Sequence, residues 1–219
     1  LGYLSKHGDR KDIDGLQGGE KNSYKGRDYF SAPLSGTVFD PGPCHEHGCV
    51  TKQIHDGKMD GFASEYASRA DPGQVMGYYV ASQVPVYDAL VHEFLVCQRW
   101  FAAHPGPTFP NRHYMLTGRL NRKQDGDWEM DNPKSESFVP TSAKNIFDHL
   151  TAQRVTWRYY EHGYCTLRLY ERYTYNNMNI VDAGGDAANF VSDVLDPSKQ
   201  FPSVTFIDPD FINVSTGND

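Results

Sequence analysis

Residues 101–118 place the strongest constraint on how this chain can fold, because they join an apolar run to a helix through a rigid turn. The apolar run, residues 94–101, predicts a buried strand. Residues 104–107 read His-Pro-Gly-Pro and predict a tight turn. A helix is then predicted over about residues 110–117, with a glycine directly after it as the stop signal. Thr108 places a hydroxyl just before this helix, where unpaired N–H groups and the helix dipole favour a phosphate.

Helical and strand-like segments alternate along the chain. Residues 84–96 predict a helix that packs against a sheet, since its apolar side chains recur on one face. The residues of that face are Tyr87, Leu90, Val91, Phe94 and Leu95. Residues 141–150 predict a second helix, capped by Thr141 or Ser142. Residues 155–161 are rich in aromatic and β-branched side chains and predict a strand. This alternation predicts an α/β fold with a mostly parallel sheet flanked by helices.

The composition limits the kinds of partner and the number of domains. A net charge of −7 argues against a general nucleic-acid-binding surface. Every apolar run is shorter than the ~20 residues of a transmembrane helix. The 14 tyrosines and 12 phenylalanines argue against a disordered chain. At 219 residues, the chain is predicted to form one domain, or part of a larger one, over residues 1–219.

Four potential metal ligands, Cys44, His45, His47 and Cys49, fall within six positions. One short loop rarely wraps a tetrahedral zinc, which usually takes pairs of ligands from two separated segments. The two cysteines have another possible role as a local disulfide in an oxidising compartment. We therefore expect a disulfide or free thiols here, with a zinc site as the remaining alternative.

Residues 106–112 read Gly-Pro-Thr-Phe-Pro-Asn-Arg and resemble the Thr/Ser-x-Pro-Asn-Arg motif of a phosphoesterase family. This family holds bacterial and plant phospholipases C and acid phosphatases, within the alkaline-phosphatase-like superfamily. Similar segments follow in the family's order along nearly the whole chain. They include Asp-Pro-x-Pro-x-His at residues 40–45 and a family strand matched by residues 201–209. The resemblance implies an α/β domain of alkaline-phosphatase-like fold, present here in incomplete form.

The resemblance also implies a chemistry. Phosphate esters would be hydrolysed, by a phospholipase C-type phosphodiesterase or an acid phosphatase, through a phospho-threonine on Thr108. In the family this residue is also a ligand of a divalent metal cation. Asn111 is expected to hold a phosphate oxygen, and Arg112 to brace the turn or to reach the phosphate. His45 corresponds to a family histidine that faces the phosphate pocket; the alternative is a turn histidine without a role.

The ends of the chain carry a further expectation from the same resemblance. Leu1 and Gly2 resemble a position just after a Glu-Asn pair in the family, and the family's later acidic pair follows the segment matched by residues 201–209. We therefore expect a fragment with an open sheet that keeps only Thr108 of the cation ligands and is inactive alone. Phosphate esters or phospholipids are the expected substrates, and a secreted or periplasmic location is compatible with the family. The alternative function is a catalytically silent binding protein on this scaffold, or a zinc-stabilised interaction module.

Overall fold

The computed structural model describes residues 2–6, 10–123, 125–133, 142–163, 165–173 and 177–208. The chain divides into two compact units, Leu1–Thr108 and Phe109–Asp219, and each has its own hydrophobic cluster. None of the described helices combines the length and the apolar character that a membrane crossing requires.

The first unit contains short helices and two small sheets. Its elements are α1 (Gly2–Lys6), β1 (Lys21–Tyr24), β2 (Arg27–Phe30), β3 (Ala32–Pro33), α2 (His47–Ile54), α3 (Phe62–Tyr66), β4 (Gly77–Tyr78) and α4 (Pro85–Glu93). Short 3₁₀ helices precede β4 and α4, at Gln74–Met76 and Ala81–Gln83. The strands β1 and β2 pair in antiparallel orientation, whereas β3 and β4 pair in parallel.

The β1–β2 hairpin is fixed both by its turn and by one buried side chain. The turn residues Lys25 and Gly26 have φ values of 49° and 78°, as a two-residue hairpin loop matched to the strand twist requires. Asn22 of β1 is buried, and its side-chain amide donates to the Met59 carbonyl oxygen over 3.3 Å. Its Oδ1 accepts from the Ala63 N–H at 3.2 Å. These bonds tie the hairpin to the start of α3.

Two predictions for residues 84–101 are wrong. Of the predicted apolar face, only Val91 packs against the cluster of Tyr3, Leu4 and Ile13, and α4 therefore rests on α1 rather than on a sheet. The other four residues of that face, Tyr87, Leu90, Phe94 and Leu95, are exposed. Residues 94–101 form turn and coil instead of a strand. A strand needs a pairing partner, and none of the described strands pairs with this run.

The second unit is built on a parallel sheet. Its elements are α5 (Thr108–Thr117, which starts at the last residue of the first unit), α6 (Ile146–Ala152), β5 (Trp157–Glu161), β6 (Ile180–Asp182), α7 (Ala188–Leu195) and β7 (Val204–Ile207). The strand order is β6-β5-β7, with both pairs parallel. Short 3₁₀ helices lie at Thr166–Leu169 and Gly185–Ala187.

Successive side chains of β5 point to opposite sides of the sheet, and a helix packs against each side. Tyr159 meets Phe147 of α6, with ring centroids 5.7 Å apart. The next residue, Tyr160, meets Phe190 of α7 at 5.2 Å. A mixed α/β structure with parallel strands flanked by helices confirms the predicted fold class.

The start of α6 differs from the predicted one. Asn145 is the N-cap, and its side chain accepts from the N–H groups of Phe147 and Asp148. The carboxylate of Asp148 accepts in turn from the Asn145 N–H at 2.8 Å, which completes a capping box. Ser142 is not the cap, and Thr141 lies outside the described residues. The helix begins where this reciprocal pair occurs, and its cap lies three residues after Ser142 and four after Thr141.

Candidate active site

Thr108 is the first residue of α5 and is partly exposed. The helix therefore starts two residues earlier than predicted, and the Thr hydroxyl belongs to its first turn. The N–H of Phe109 donates to the side-chain oxygen of Asn132 over 3.0 Å, and Pro110 has no N–H to offer. Two of the positions expected to offer donors to a phosphate are thus accounted for within the chain. Asn132 was missed by sequence reasoning because it lies in a polar connection 23 residues away.

The turn before Thr108 is held by histidines of the first unit. The Nδ1–H of His47, at the start of α2, donates to the Pro105 carbonyl oxygen at 2.7 Å. Its ring stacks on that of His104, with centroids 4.9 Å apart, and His104 is buried. The sequence singled out His45 instead. That residue is exposed and makes no hydrogen bond, ion pair or ring contact with the described residues, and its role in phosphate binding stays a prediction.

The loop that carries His45 and His47 is closed by a disulfide between Cys44 and Cys49, five residues apart. Within the described residues, these two sulfurs and Glu65 are the only three His, Cys, Asp or Glu ligand atoms that all lie within 4.8 Å of one another. Zinc binds thiolates, and disulfide sulfurs are not thiolates. The disulfide confirms one of the two expected cysteine states, and it speaks against the zinc-stabilised module.

A divalent cation at Thr108 would need more ligands than the described residues offer. Hard cations take six or more oxygen ligands, mostly from carboxylates and water. The described part of the chain holds no cluster of three carboxylates of that kind. The residues present therefore do not fit the expected cation site by themselves.

Arg112 lies one turn along α5 from Thr108, and its guanidinium is engaged by a carboxylate. Its Nη1 donates to Oδ1 of Asp208 at 2.6 Å, directly after β7. Oδ2 of Asp208 accepts from the Tyr159 hydroxyl and, at 3.4 Å, from the Thr166 N–H. Asp208 is only 3% exposed. Arg112 thus ties α5 to the residue directly after β7, and its expected contact with a phosphate stays a prediction.

The buried environment of Tyr159 keeps its hydroxyl protonated. Desolvation raises the pKa of its hydroxyl strongly, and the negative charge of Asp208 raises it further. The hydroxyl therefore remains protonated and donates to the carboxylate at any ordinary pH. Both oxygens of the buried Asp208 carboxylate are accordingly hydrogen-bonded, as a buried charge must be to be stable.

His113, also on α5, is a second buried group that the sequence did not identify. It is 4% exposed, and its ring stacks on Tyr170 with centroids 5.5 Å apart. Its Nδ1 accepts from the Tyr170 hydroxyl at 3.0 Å, whereas its buried Nε2 has no hydrogen-bond partner among the described residues. Burial, with a smaller contribution from the charge of Arg119, lowers the pKa of His113 from 6.5 to about 4. The imidazole is therefore neutral in the folded protein.

This shift predicts an acid-sensitive second unit. Because the pKa of His113 is lower in the folded state, the unfolded chain binds the extra proton between pH 6.5 and pH 4. The free energy of unfolding should fall as the pH drops through that window, by about 3 kcal/mol for the full shift. Urea titrations that follow the fluorescence of the buried Trp157 measure this loss.

The matched variant is His113→Phe, which keeps a ring against Tyr170 and does not titrate. We expect the difference in unfolding free energy between the wild type and this variant to change with pH across the window. Parallel pH profiles for the two proteins would show that His113 is not the titrating group.

Comparison with known proteins gives a consistent result. The model of the phosphoesterase family matches residues 6–215. Non-specific phospholipase C1 of Arabidopsis thaliana is 32% identical over 174 residues, which are 73% of this chain and 31% of the relative. Non-specific phospholipase C6 of the same plant is 27% identical over 98% of this chain and 41% of its own length. Hemolytic phospholipase C of Pseudomonas aeruginosa is 32% identical over 41% of this chain and 13% of its own. The chain spans less than half the length of each of these relatives.

Proposed function

The chain belongs to the phosphoesterase family, and we propose that it hydrolyses phosphate esters with Thr108 as the nucleophile. The observation that carries the proposal is the place of Thr108. It lies within the family motif, and it is the partly exposed first residue of a helix directly after a turn. A hydroxyl at a helix start lies beside the positive end of the helix dipole, which favours an approaching phosphate.

The proposed reaction has two displacement steps. In the first, Oγ of Thr108 forms a bond to phosphorus, the bond from phosphorus to the leaving oxygen breaks, and the hydroxyl proton passes by way of solvent to the departing alcohol. In the second, water attacks phosphorus, and the phosphorylated product leaves as the proton returns to Oγ. Splitting one difficult displacement into two easier ones is the usual advantage of a covalent nucleophile.

The names of the relatives favour a phospholipase C type of reaction, in which the leaving alcohol is a diacylglycerol. Asn111, three residues after Thr108 on α5, is proposed to hold a non-bridging phosphate oxygen. Arg112 contributes by fixing α5 through Asp208. His45 is proposed to approach the phosphate from the disulfide-closed loop. An acid phosphatase reaction uses the same residues on a smaller monoester.

A divalent cation remains part of the proposal as a requirement, with the Thr108 hydroxyl as one ligand. The described residues do not complete its coordination, so no step above is assigned to it. We accordingly propose that the 219-residue chain alone turns over slowly. A protein that carries the chain together with further carboxylate ligands should be faster. Activity with and without added divalent cation, and after chelation, compares the two proteins directly.

Trapping the covalent intermediate tests the proposed reaction. The protein is mixed with a chromogenic phosphate monoester or with phosphatidylcholine, quenched in acid and digested for mass spectrometry. We expect a phosphorylated peptide with Thr108 as the modified residue, since phosphate esters of threonine survive acid. A headgroup-bearing adduct from phosphatidylcholine alone would identify a phospholipase C. A label on any other residue, or rapid turnover with Thr108 never labelled, would refute the proposed nucleophile.

A further inference from the structure

The second unit contains a cavity of about 800 Å³ at the C-terminal end of α5, which we call the cationic cavity. It is lined by Thr117, Arg119, Leu120, Asn121, Arg122, Trp128, Ser142, Ala143 and Lys144. Its volume lies within the range of about 300–1,000 Å³ that is typical of small-molecule sites. Thr108 lies at the opposite end of α5, about 13 Å away along the helix axis at 1.5 Å per residue.

The charge of the lining is unusual for this protein. Of the nine lining residues that the structure describes, three are cationic and none is acidic, although the chain as a whole has 28 acidic and 21 basic residues. Arg119 and Lys144 have no carboxylate partner among the described residues. Like charges brought together without a counter-charge repel one another and attract anions. The described lining therefore lacks the negative charge that an anionic ligand would supply.

The segment that carries Arg122 is held in place by contacts of its backbone and side chains. Arg122 and Trp128 face each other in an antiparallel β-bridge, and the guanidinium of Arg122 lies 3.9 Å from the centre of the Trp128 ring. The Lys123 N–H donates to the Asp127 carbonyl oxygen at 2.9 Å and closes the same turn. The Asn121 side chain donates to Glu129 at 3.0 Å, and Glu129 is the carboxylate beside the lining. These contacts make one wall of the cavity a defined hairpin.

The opposite wall is held by Arg172. Its guanidinium donates to the carbonyl oxygens of Ser142 and Ala143 and to the carboxylate of Asp148. The carboxylate neutralises the charge of Arg172, so this arginine acts as a structural brace. Lys144, the residue after Ala143, has no carboxylate partner among the described residues. The Ser142 hydroxyl adds a neutral donor among the lining residues.

We propose that the cationic cavity binds a phosphate-bearing anion at a site separate from Thr108. Guanidinium groups match phosphate oxygens in pairs, and a lysine ammonium adds a point charge, so two arginines and a lysine suit a dianionic phosphomonoester better than a single carboxylate. The ligand is either a free phosphomonoester or the headgroup of an anionic phospholipid such as phosphatidic acid. Its binding does not depend on Thr108, so this proposal goes beyond the proposed reaction.

The test uses the whole 219-residue chain carrying Thr108→Ala, which removes the proposed nucleophile. The probes are glycerol 3-phosphate, measured by calorimetry, and phosphatidylcholine vesicles with or without phosphatidic acid, measured by sedimentation. The variant Arg119→Gln/Lys144→Gln neutralises two lining cations whose side chains form no hydrogen bond or ion pair with the described residues. The control Lys52→Gln/Lys58→Gln makes the same charge change on the first unit.

We expect binding that weakens at least tenfold in the Arg119/Lys144 variant and stays within twofold in the control. Added salt should weaken it as well, since the attraction is between exposed charges. Binding of glycerol 3-phosphate identifies the free phosphomonoester, and binding of phosphatidic acid vesicles alone identifies the lipid headgroup. No binding to either probe, or equal loss in the two double variants, would overturn the proposal. Absence of the Thr108 label in the trapping experiment with the wild-type chain, together with binding of either probe here, would reject the proposed reaction and leave this site standing.

Discussion

Thr108→Ala is expected to lower the turnover of a phosphate ester roughly a thousandfold or more in any active protein that contains these 219 residues. The proposed covalent step has no substitute for the lost hydroxyl, because alanine offers no atom that can attack phosphorus. The initial rate of release of a chromogenic alcohol, at saturating ester and fixed divalent cation, measures the effect. Thr108→Ser should retain part of the activity, since serine keeps an attacking oxygen at the same helix start.

Thr117→Ala is the matched control, because it removes the same hydroxyl from the other end of α5. Its Oγ1 donates to the His113 carbonyl oxygen at 2.8 Å, so its loss perturbs the helix without touching Thr108. Turnover of this variant should stay within a few-fold of the wild type. If Thr108→Ala kept comparable turnover, another residue would have to be the nucleophile.

Asp208→Ala is expected to destabilise the second unit strongly. It leaves the Arg112 guanidinium without its carboxylate and the buried Tyr159 hydroxyl without its acceptor. Breaking a buried ion pair on one side typically costs 3–5 kcal/mol, because the remaining charge stays uncompensated. The side chain of Arg112 is 25% exposed, so water relieves part of that cost, and we expect about 3 kcal/mol. Urea unfolding of the second unit, followed by the fluorescence of Trp157, measures it.

Two comparison variants separate the ion pair from a general loss of a carboxylate. Asp196→Ala removes a partly exposed turn carboxylate whose partners are Ser198 and, at 3.8 Å, Lys199, and it should change stability little. The double variant Arg112→Met/Asp208→Ala removes both charges and should be more stable than Asp208→Ala alone. A double variant as unstable as the sum of its single changes would show that the two side chains do not act as a pair.

Local patterns predicted the elements of the candidate site more successfully than their surroundings. The turn and the helix after it follow from the proline and glycine positions, and α5 starts two residues before the predicted helix. The family motif also lies wholly within residues 106–112, so the sequence was sufficient to find it. By contrast, His47 contacts the turn at Pro105, 58 residues away, and Asn132 contacts the helix at Phe109, 23 residues away; no local pattern marks either residue.

The apolar run at residues 94–101 shows the other limit of sequence reasoning. Its composition predicts burial, yet Leu95 is 92% exposed and Trp100 83%. Composition states which side chains gain from leaving water, but a strand forms only where a partner offers its backbone groups. The start of α6 shows the same limit on a smaller scale. Several polar residues near it are able to cap, and the reciprocal bonds of Asn145 and Asp148 decided which one does.

The sequence by itself determined the family, the α/β class, the helix start that presents Thr108 and the acidic balance of the chain, because neighbouring residues encode these properties. The tertiary structure alone decided that Arg112 forms an ion pair with Asp208, 96 residues away, and that His113 is buried and neutral. It also brought Arg119 and Lys144, which have no carboxylate partner among the described residues, to the far end of α5. Charge pairing and desolvation depend on which distant surfaces meet, and that information lies in the packed chain as a whole rather than in any one segment.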